Sequence, residues 1–143
     1  GEFELFPKYL QNSVSKFTSA GKNIIASGAY IGQEGGVFAQ RTFNYTLRSP
    51  YAATNGQVVL SDGSETFSLQ MSPSPDRYFL QNVDAVDAKY RGTQTLLYYN
   101  TNHLPAALYC ERGYKSIVVG FPIEALTSQE QVNSLIKNLV KKF

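Results

Sequence analysis

The sequence predicts an α/β fold, a three-layer α/β/α arrangement with a mostly parallel central sheet and an antiparallel hairpin or insertion. Two apolar runs, at 23–27 and 116–121, do not alternate between apolar and polar residues, which is typical of interior strands covered on both faces. Amphipathic helices are predicted at both ends of the chain, at 4–19 and 128–142. With 143 residues, of which 43% are hydrophobic, the chain can build one domain with a sizeable core.

The first helix is predicted from apolar residues that recur every three or four positions between Leu5 and Phe17. Pro7 fits its first turn, where a missing N–H group costs little, and Gly21 fits the position just after its end. One face of this helix is expected to be buried. Because no strand precedes it, we expect that the chain starts late in a βαβ unit or is a trimmed domain, and that residues 1–143 are one domain from the C-terminal part of a larger protein.

The chain is organised around the segment that follows the first predicted strand, where Gly28 and Gly32 flank Tyr30. Glycine has no Cβ, so the backbone here is expected to adopt positive φ angles and to pack closely against its neighbours. Such a turn lifts the side chain of Tyr30 off the end of the strand. In an α/β enzyme, this middle residue of the turn would be the nucleophile.

Short elements separated by turns are predicted in the middle of the chain. A short helix is expected to open after Gly32 and to run to about Tyr45. Segments 57–60 and 65–69 flank the Ser-Asp-Gly-Ser turn at 61–64, a pattern typical of a β-hairpin. This hairpin is predicted to be an antiparallel insertion or edge.

The second half of the chain predicts three strands and a helix. One strand is expected at 95–99, and the runs at 106–110 and 116–121 are expected to form a hairpin. Thr127 and Glu130 have the spacing of a capping box at the start of a helix. One apolar stripe follows, formed by Val132, Leu135, Ile136, Leu139, Val140 and Phe143.

Composition excludes several classes of function. The net charge of +2 comes from 13 basic and 11 acidic residues that are well mixed, so we expect no nucleic-acid partner. No apolar run approaches the roughly 20 residues of a membrane-spanning helix. The chain opens without a basic, apolar leader, and a signal peptide removed from a longer parent is compatible with this. Its single cysteine, Cys110, excludes an internal disulfide and a cysteine-rich metal site, so no metal is expected. Cys110 lies within a predicted strand, where a buried structural thiol is expected rather than a nucleophile.

This order of elements resembles the class I glutamine amidotransferase-like fold, a flavodoxin-like α/β domain. In working members of that family, the turn after the strand reads Gly-x-Cys-x-Gly, often with a glutamine soon after it. Gly28, Gly32 and Gln33 match the glycine and glutamine positions, and Tyr30 stands where the family has cysteine. The resemblance implies that fold without its N-terminal strand.

The resemblance also implies a degenerate active site. A late strand of the family ends in Phe-His-Pro-Glu; here Glu124 matches the glutamate, and Pro122 stands where the histidine is expected. Amide hydrolysis needs a thiolate activated by an adjacent imidazole, which a carboxylate orients. Tyrosine ionises only at about pH 10 and cannot replace that thiolate without a strong perturbation. We therefore expect no catalytic residue, no glutaminase activity and no cofactor.

Three short stretches, Ser-Gly-Ala-Tyr-Ile-Gly, Ala-Ala-Leu-Tyr and Val-Val-Gly-Phe-Pro-Ile-Glu-Ala-Leu, are similar to the amidotransferase-like region of large secreted bacterial proteins. Some of those proteins are named xanthan lyases and carry golvesin-like, carbohydrate-associated domains. The resemblance implies an extracytoplasmic location and a polysaccharide-related parent protein. It also implies carbohydrate, or other domains of that parent, as partners.

Two functions of different classes fit these residues. In the one we favour, the chain is a non-catalytic module that binds a ligand or partner in a crevice at the strand ends, lined by Gly28, Tyr30, Gly32, Gln33, His103 and Glu124. In the other, it is a hydrolase or polysaccharide lyase that uses Tyr30 with Glu124 or His103, or residues outside this chain. The structural alternative is that Tyr30 fills the pocket and its hydroxyl bonds to Glu124.

Overall fold

A curled mixed sheet of six strands dominates the fold. The computed structural model describes residues 5–52, 55–73, 75–76 and 79–143. In chain order, the elements are α1 (Lys8–Ser19), β1 (Ile24–Ser27), α2 (Ile31–Glu34), α3 (Gly36–Phe43), β2 (Tyr45–Ser49), β3 (Gln57–Leu60), β4 (Thr66–Ser68), β5 (Ala85–Ala88), β6 (Gln94–Tyr99), β7 (Pro105–Glu111), β8 (Lys115–Val119), a 3₁₀ turn (Ile123–Ala125) and α4 (Gln129–Val140).

The order of strands in the main sheet is β1-β8-β7-β6-β3-β4, and β2 and β5 pair antiparallel in a separate sheet. Within the described residues, β1 and β8 are the one parallel pair, and every other neighbouring pair is antiparallel. The predicted three-layer fold with a mostly parallel sheet is therefore wrong. In the second half of the chain, tight hairpins join successive strands, such as β6 to β7 and β7 to β8. A tight hairpin can join only antiparallel strands.

Apolar side chains pack on both faces of the main sheet. The larger core lies on the face that α4 covers and includes Phe67, Leu97, Tyr99, Ile117, Leu135 and Leu139. The smaller core lies on the other face and includes Ile31, Phe43, Tyr45, Val86, Leu108 and Val118. Successive residues of β8 thus enter different cores, which explains why this strand needs no polar alternation.

β1 lies at the edge of the main sheet, although its apolar sequence predicted an interior strand. Each of its four residues is half-buried. After β1, the chain passes through α2 and α3 into β2, which pairs with β5 and does not join the main sheet. Strand β1 consequently gains no second neighbour among the described residues. The three strands expected to share a sheet, at 23–27, 95–99 and 116–121, do lie together in it.

α1 agrees with the predicted helix in its position and differs from it in its burial. It begins after Pro7 and ends at Ser19, and Gly21, with a φ of 76° and an N–H bond to the Thr18 carbonyl, follows the C-cap residue Ala20. The first residues of the predicted span, 1–4, lie outside the described residues. None of the residues of α1 is buried, so the expectation of a buried face is wrong.

α4 begins one residue later than the capping box predicted. Ser128, not Thr127, is the N-cap, and its Oγ accepts a hydrogen bond of 3.2 Å from the Gln131 N–H. The Gln131 amide nitrogen donates to Thr127 Oγ1 at 2.7 Å. Ser128 thus supplies the N-cap half of a capping box, whereas the Gln131 side chain bonds to Thr127 and Ser68 rather than back to the N-cap N–H.

Candidate functional site

The turn after β1 is tight, as predicted, but the residue that takes the positive φ angle is not the predicted one. Tyr30, rather than Gly28, takes the left-handed conformation, with φ 65°. This conformation is uncommon for a residue with a side chain and stores strain. A Cβ on Gly28 would meet no atom, whereas a Cβ on Gly32 would lie 2.9 Å from both Cβ and Oδ2 of Asp84. Of the two glycines, Gly32 is thus the one that close packing requires.

Asp84, which sequence reasoning missed, fixes the start of α2. Its carboxylate accepts hydrogen bonds from the N–H groups of Gly32 at 2.8 Å and Gln33 at 3.3 Å. The side-chain amide of Gln33 adds a third bond at 3.4 Å. With only 1% of Asp84 exposed, these bonds compensate for burying a carboxylate. Its position between Val83 and Ala85, inside an apolar run, is the sequence feature that could have drawn attention to it.

The backbone of Asp84 is bonded to the main sheet. Its N–H donates to the Gly120 carbonyl at 3.0 Å, and its carbonyl accepts the Tyr99 hydroxyl at 2.6 Å. The Tyr45 hydroxyl donates to the Ile31 carbonyl at 2.6 Å, at the start of α2. Burial, and secondarily the charge of Asp84, raise the pKa of both Tyr45 and Tyr99 well above the usual range. These groups are satisfied by each other, so the cluster is structural.

The other predicted site residues lie in loops at one end of the main sheet, where strands β1 and β8 terminate. Tyr30 follows β1, Glu124 follows β8, and His103 lies between β6 and β7. Because β1 and β8 are parallel and β7 is antiparallel to β8, these three loops lie at the same end of the strands. Tyr30 and Glu124 are exposed, and no hydrogen bond joins their side chains, so the direct bond expected between them is absent.

His103 is exposed and lies against an aromatic neighbour. Its ring stacks on Tyr98 with centroids 4.0 Å apart and planes 4° apart. Within the described residues, its side chain has no carboxylate in hydrogen-bond contact. Cys110 is buried within β7, where we expected a structural thiol. Of the predicted site residues, the structure brings Gly32 and Gln33 into contact with a common partner, Asp84.

Neither a metal centre nor a membrane-spanning helix is found in the described part of the chain. There, no three His, Cys, Asp or Glu side chains lie close enough together to hold a metal ion. Among the same residues, none of the helices combines the length and the apolar character needed to cross a bilayer.

Two open hollows lie along α4, and one of them includes a predicted site residue, Glu124. Leu135 and Leu139 are buried against the sheet, whereas Ile136 and Val140 are 42% and 48% exposed. One hollow, of about 410 Å³, is lined by Asn133, Ile136, Lys137, Val140 and Lys141. A second, of about 320 Å³, is lined by Ile123, Glu124, Leu126, Ser128, Gln129, Val132 and Ile136. The two hollows share Ile136, and together we call them the α4 groove.

The α4 groove is basic at one end and acidic at the other. Lys137 and Lys141 line the hollow near the C-terminus of α4, and Glu124 lines the other hollow. Among the described residues, the side chains of these two lysines form no hydrogen bond and no ion pair. The ion pair found among the described residues joins Arg48 of β2 and Asp87 of β5 at 3.6 Å. Hydrogen bonds to Ser64 and, to a smaller extent, the charge of Lys141 lower the pKa of the Asp62 carboxyl, so this end of the groove already faces one carboxylate.

Comparison with known proteins gives a likeness to solved structures. No family model matches the sequence, and no curated protein gives a significant match. A solved structure, the mmIFT52 N-terminal domain, is similar with a TM-score of 0.57 at 9% sequence identity, over 95% of this chain and 71% of that one. At this identity the likeness concerns the fold alone.

The amidotransferase-like and flavodoxin-like resemblance is therefore wrong. That fold needs a mostly parallel sheet, and the described sheet is mostly antiparallel and similar to a different domain. The short glycine motif was matched correctly to a turn after a strand, but many folds contain such a turn. A location outside the cytoplasm and a polysaccharide-related parent rested on this resemblance, and they stay predictions.

Proposed function

We propose that this chain is a protein-binding module whose α4 groove receives an acidic amphipathic helix from a partner protein. The observation that carries the proposal is the exposure of Ile136 and Val140 on one side of α4, where they line an open hollow together with two lysines. The proposal keeps the non-catalytic alternative and moves its site from the strand ends to α4, with Glu124 as the shared residue.

The apolar part of the groove suits a helix. Ile136 and Val140 are four residues apart, so their side chains form a ridge along α4. Such a ridge packs into the groove between side chains of a second helix, and amphipathic helices are commonly recognised in this way. Burying an aliphatic side chain of this kind contributes about 1.5–3 kcal/mol. Two half-exposed residues therefore supply a useful part of a moderate binding energy.

The charged part of the groove indicates acidic residues on the incoming helix. Lys137 and Lys141 are also four residues apart and lie beside the apolar ridge. A partner helix with Glu or Asp next to its apolar stripe would meet both ammonium groups. Charge pairs at the rim of an interface mainly govern the rate of association and its dependence on salt. Binding should consequently weaken as salt is raised.

Calorimetry with two designed peptides tests the proposal. One peptide is a single amphipathic helix with a leucine stripe flanked by glutamates, and the other has lysines in place of those glutamates. We expect saturable binding of the glutamate peptide, and affinity reduced by about tenfold or more in Val140→Asp, which places a carboxylate in the groove. Val37→Asp is the matched control, because Val37 is 64% exposed on α3, in the helical layer on the opposite face of the sheet.

Three results would overturn the proposal. They are an absence of saturable binding, equal binding of the lysine peptide, and equal effects of Val140→Asp and Val37→Asp. Self-association of the free chain that Val140→Asp abolishes would assign the groove to a second copy instead. The hydrolase or lyase alternative is not tested and stays a prediction. No acid–base pair among the described residues favours it over binding.

A further inference from the structure

We propose that the chain binds peripherally to a membrane surface that carries anionic lipid headgroups, through the end of the main sheet where β1 and β8 begin. Four exposed cations define this surface, which we call the basic end: Arg41, Lys89, Arg91 and Arg112. It lies at the opposite end of the strands from the loops that hold the predicted site residues. None of these four residues lines the α4 groove, so the two surfaces are distinct.

Two turns at the ends of strands bring three of these cations together around one tyrosine. Arg112, in the turn between β7 and β8, lies over the ring of Tyr90, with its guanidinium carbon 3.7 Å from the ring centre. The Lys89 ammonium lies 5.8 Å from the centre of the same ring. Arg91 directly follows Tyr90 in the chain. The turn after β5 and the turn after β7 therefore form one basic surface.

The end of α3 that carries Arg41 is bonded to both of these turns. The Tyr114 hydroxyl donates to the Thr42 carbonyl at 2.6 Å, which fixes the turn between β7 and β8 against α3. The Lys89 N–H donates to the Asn44 carbonyl at 3.2 Å, which fixes the turn after β5 just beyond the end of the same helix. Cations that are more than seventy residues apart in the sequence, from Arg41 to Arg112, thus share one end of the fold.

The acidic residues near the basic end are matched by other cations or lie farther away. The Asp87 carboxylate pairs with Arg48 at 3.6 Å. Glu111 lies opposite Lys115 in the register of the β7–β8 hairpin. Asp62 belongs to the turn after β3, two strands beyond β7. Within the described residues, none of the four cations of the basic end forms an ion pair, so its positive charge is left uncompensated although the charges of the whole sequence are well mixed.

The arrangement of the basic end favours a membrane over a nucleic acid. Clusters of four or more Lys and Arg residues attract anionic lipid headgroups, and turns at strand ends can meet a flat surface together. Tyr90 is 37% exposed and combines an apolar ring with a polar hydroxyl, as do the aromatic residues found at membrane–water interfaces. Single-stranded nucleic acids are held by aromatic rings on which bases stack. Arg112 already covers one face of Tyr90, which leaves less of the ring for a base.

Tryptophan fluorescence locates the contact, because the natural chain contains no tryptophan. Tyr90→Trp places the reporter in the basic end. Tyr51→Trp is the control, because Tyr51 is 66% exposed and follows the opposite end of β2. On addition of mixed phosphatidylserine and phosphatidylcholine vesicles, the emission of Tyr90→Trp should shift to shorter wavelength and saturate, and that of Tyr51→Trp should not. Vesicles of phosphatidylcholine alone should shift neither.

Cosedimentation with the same vesicles measures the affinity of the unchanged chain and of two charge variants. Lys89→Gln should weaken binding by about fivefold, which is the share expected of one cation near an anionic surface. Lys8→Gln removes the same charge from the start of α1, whose other end leads into β1, and should leave binding unchanged. Binding of the unchanged chain should also weaken as salt is raised, because salt screens exposed charges.

Four results would overturn the proposal. They are an absence of cosedimentation of the unchanged chain with anionic vesicles, equal binding to phosphatidylcholine alone, equal weakening by Lys8→Gln and Lys89→Gln, and an emission shift of Tyr51→Trp as large as that of Tyr90→Trp. Release from the vesicles by a single-stranded oligothymidylate that the chain binds more tightly would assign the basic end to a nucleic acid instead. None of these results would affect the proposed binding of a helix to α4.

Discussion

Replacing Asp84 by alanine removes the carboxylate that joins the turn after β1 to the main sheet. The change deletes the hydrogen bonds that the carboxylate accepts from the backbone N–H groups of Gly32 and Gln33 and from the Gln33 amide. Its backbone bonds to Gly120 and Tyr99 need no carboxylate and are kept. These three lost bonds all lie at the start of α2.

The expected cost follows from the burial of each donor. Gly32 is buried, so its N–H is left unsatisfied, which costs about 1–3 kcal/mol. Both donors of Gln33 can turn partly to water, so each contributes only about 0.5–1 kcal/mol. The free energy of unfolding should therefore fall by roughly 2–5 kcal/mol, a large part of the 5–15 kcal/mol typical of a domain. Asp84→Asn should cost less, because its amide oxygen can still accept the backbone N–H groups.

Urea unfolding followed by circular dichroism measures these changes. Asp87→Ala is the matched control, because its ion pair with Arg48 is exposed and such pairs contribute about 1 kcal/mol or less. We expect the order of stability to be Asp87→Ala, then Asp84→Asn, then Asp84→Ala. Equal stability of the two alanine variants would refute the structural role assigned to Asp84.

Three further predictions concern the same framework. Gly120→Ala should destabilise the fold by about 1–3 kcal/mol or more, because the added Cβ would overlap the backbone oxygen of Asp84; an unchanged urea midpoint would contradict this. Stability should fall above about pH 10, because the unfolded chain then ionises tyrosines that burial keeps protonated in the folded state, and Tyr99→Phe should reduce that slope by about 1.4 kcal/mol per pH unit. The same slope for Tyr99→Phe and the unchanged chain, in a pH series of urea titrations, would contradict this prediction. Ser128→Ala should cost about 1 kcal/mol by removing the α4 cap, whereas Ser72→Ala, at an exposed loop position, should be neutral in the same assay.

Local patterns predicted several of the elements but missed the strands β2 and β5. The β3–β4 and β7–β8 hairpins and α4 follow from turn residues and helical spacing, which involve neighbours in the chain. The arrangement of strands depends on distant pairing, and there the same evidence failed. The apolar runs of β1 and β8 look alike in sequence, yet β1 is an edge strand and β8 an interior one. Nothing in a local pattern indicates that β2 leaves the main sheet to pair with β5.

The candidate site shows the same division. Asp84 acquires its role from Gly32 and Gln33, which are 52 and 51 residues away, so the sequence around it could not indicate that role. The α4 groove was not predicted either. The sequence indicates one apolar stripe on α4, and a stripe at least 100° wide is ordinary for a helix that packs on a core. Which of its residues stay exposed depends on how α4 lies against the sheet.

Methyl NMR of the full chain tests the central claim, that the α4 groove binds an acidic amphipathic helix, most directly. During titration with the glutamate peptide, the methyl resonances of Ile136 and Val140 should shift and saturate together. Methyls of Val37, on α3, and of Ile25, in β1, should remain in place. Shifts spread over both sets, or shifts confined to the loops around Tyr30 and His103, would contradict the claim and locate the interaction elsewhere.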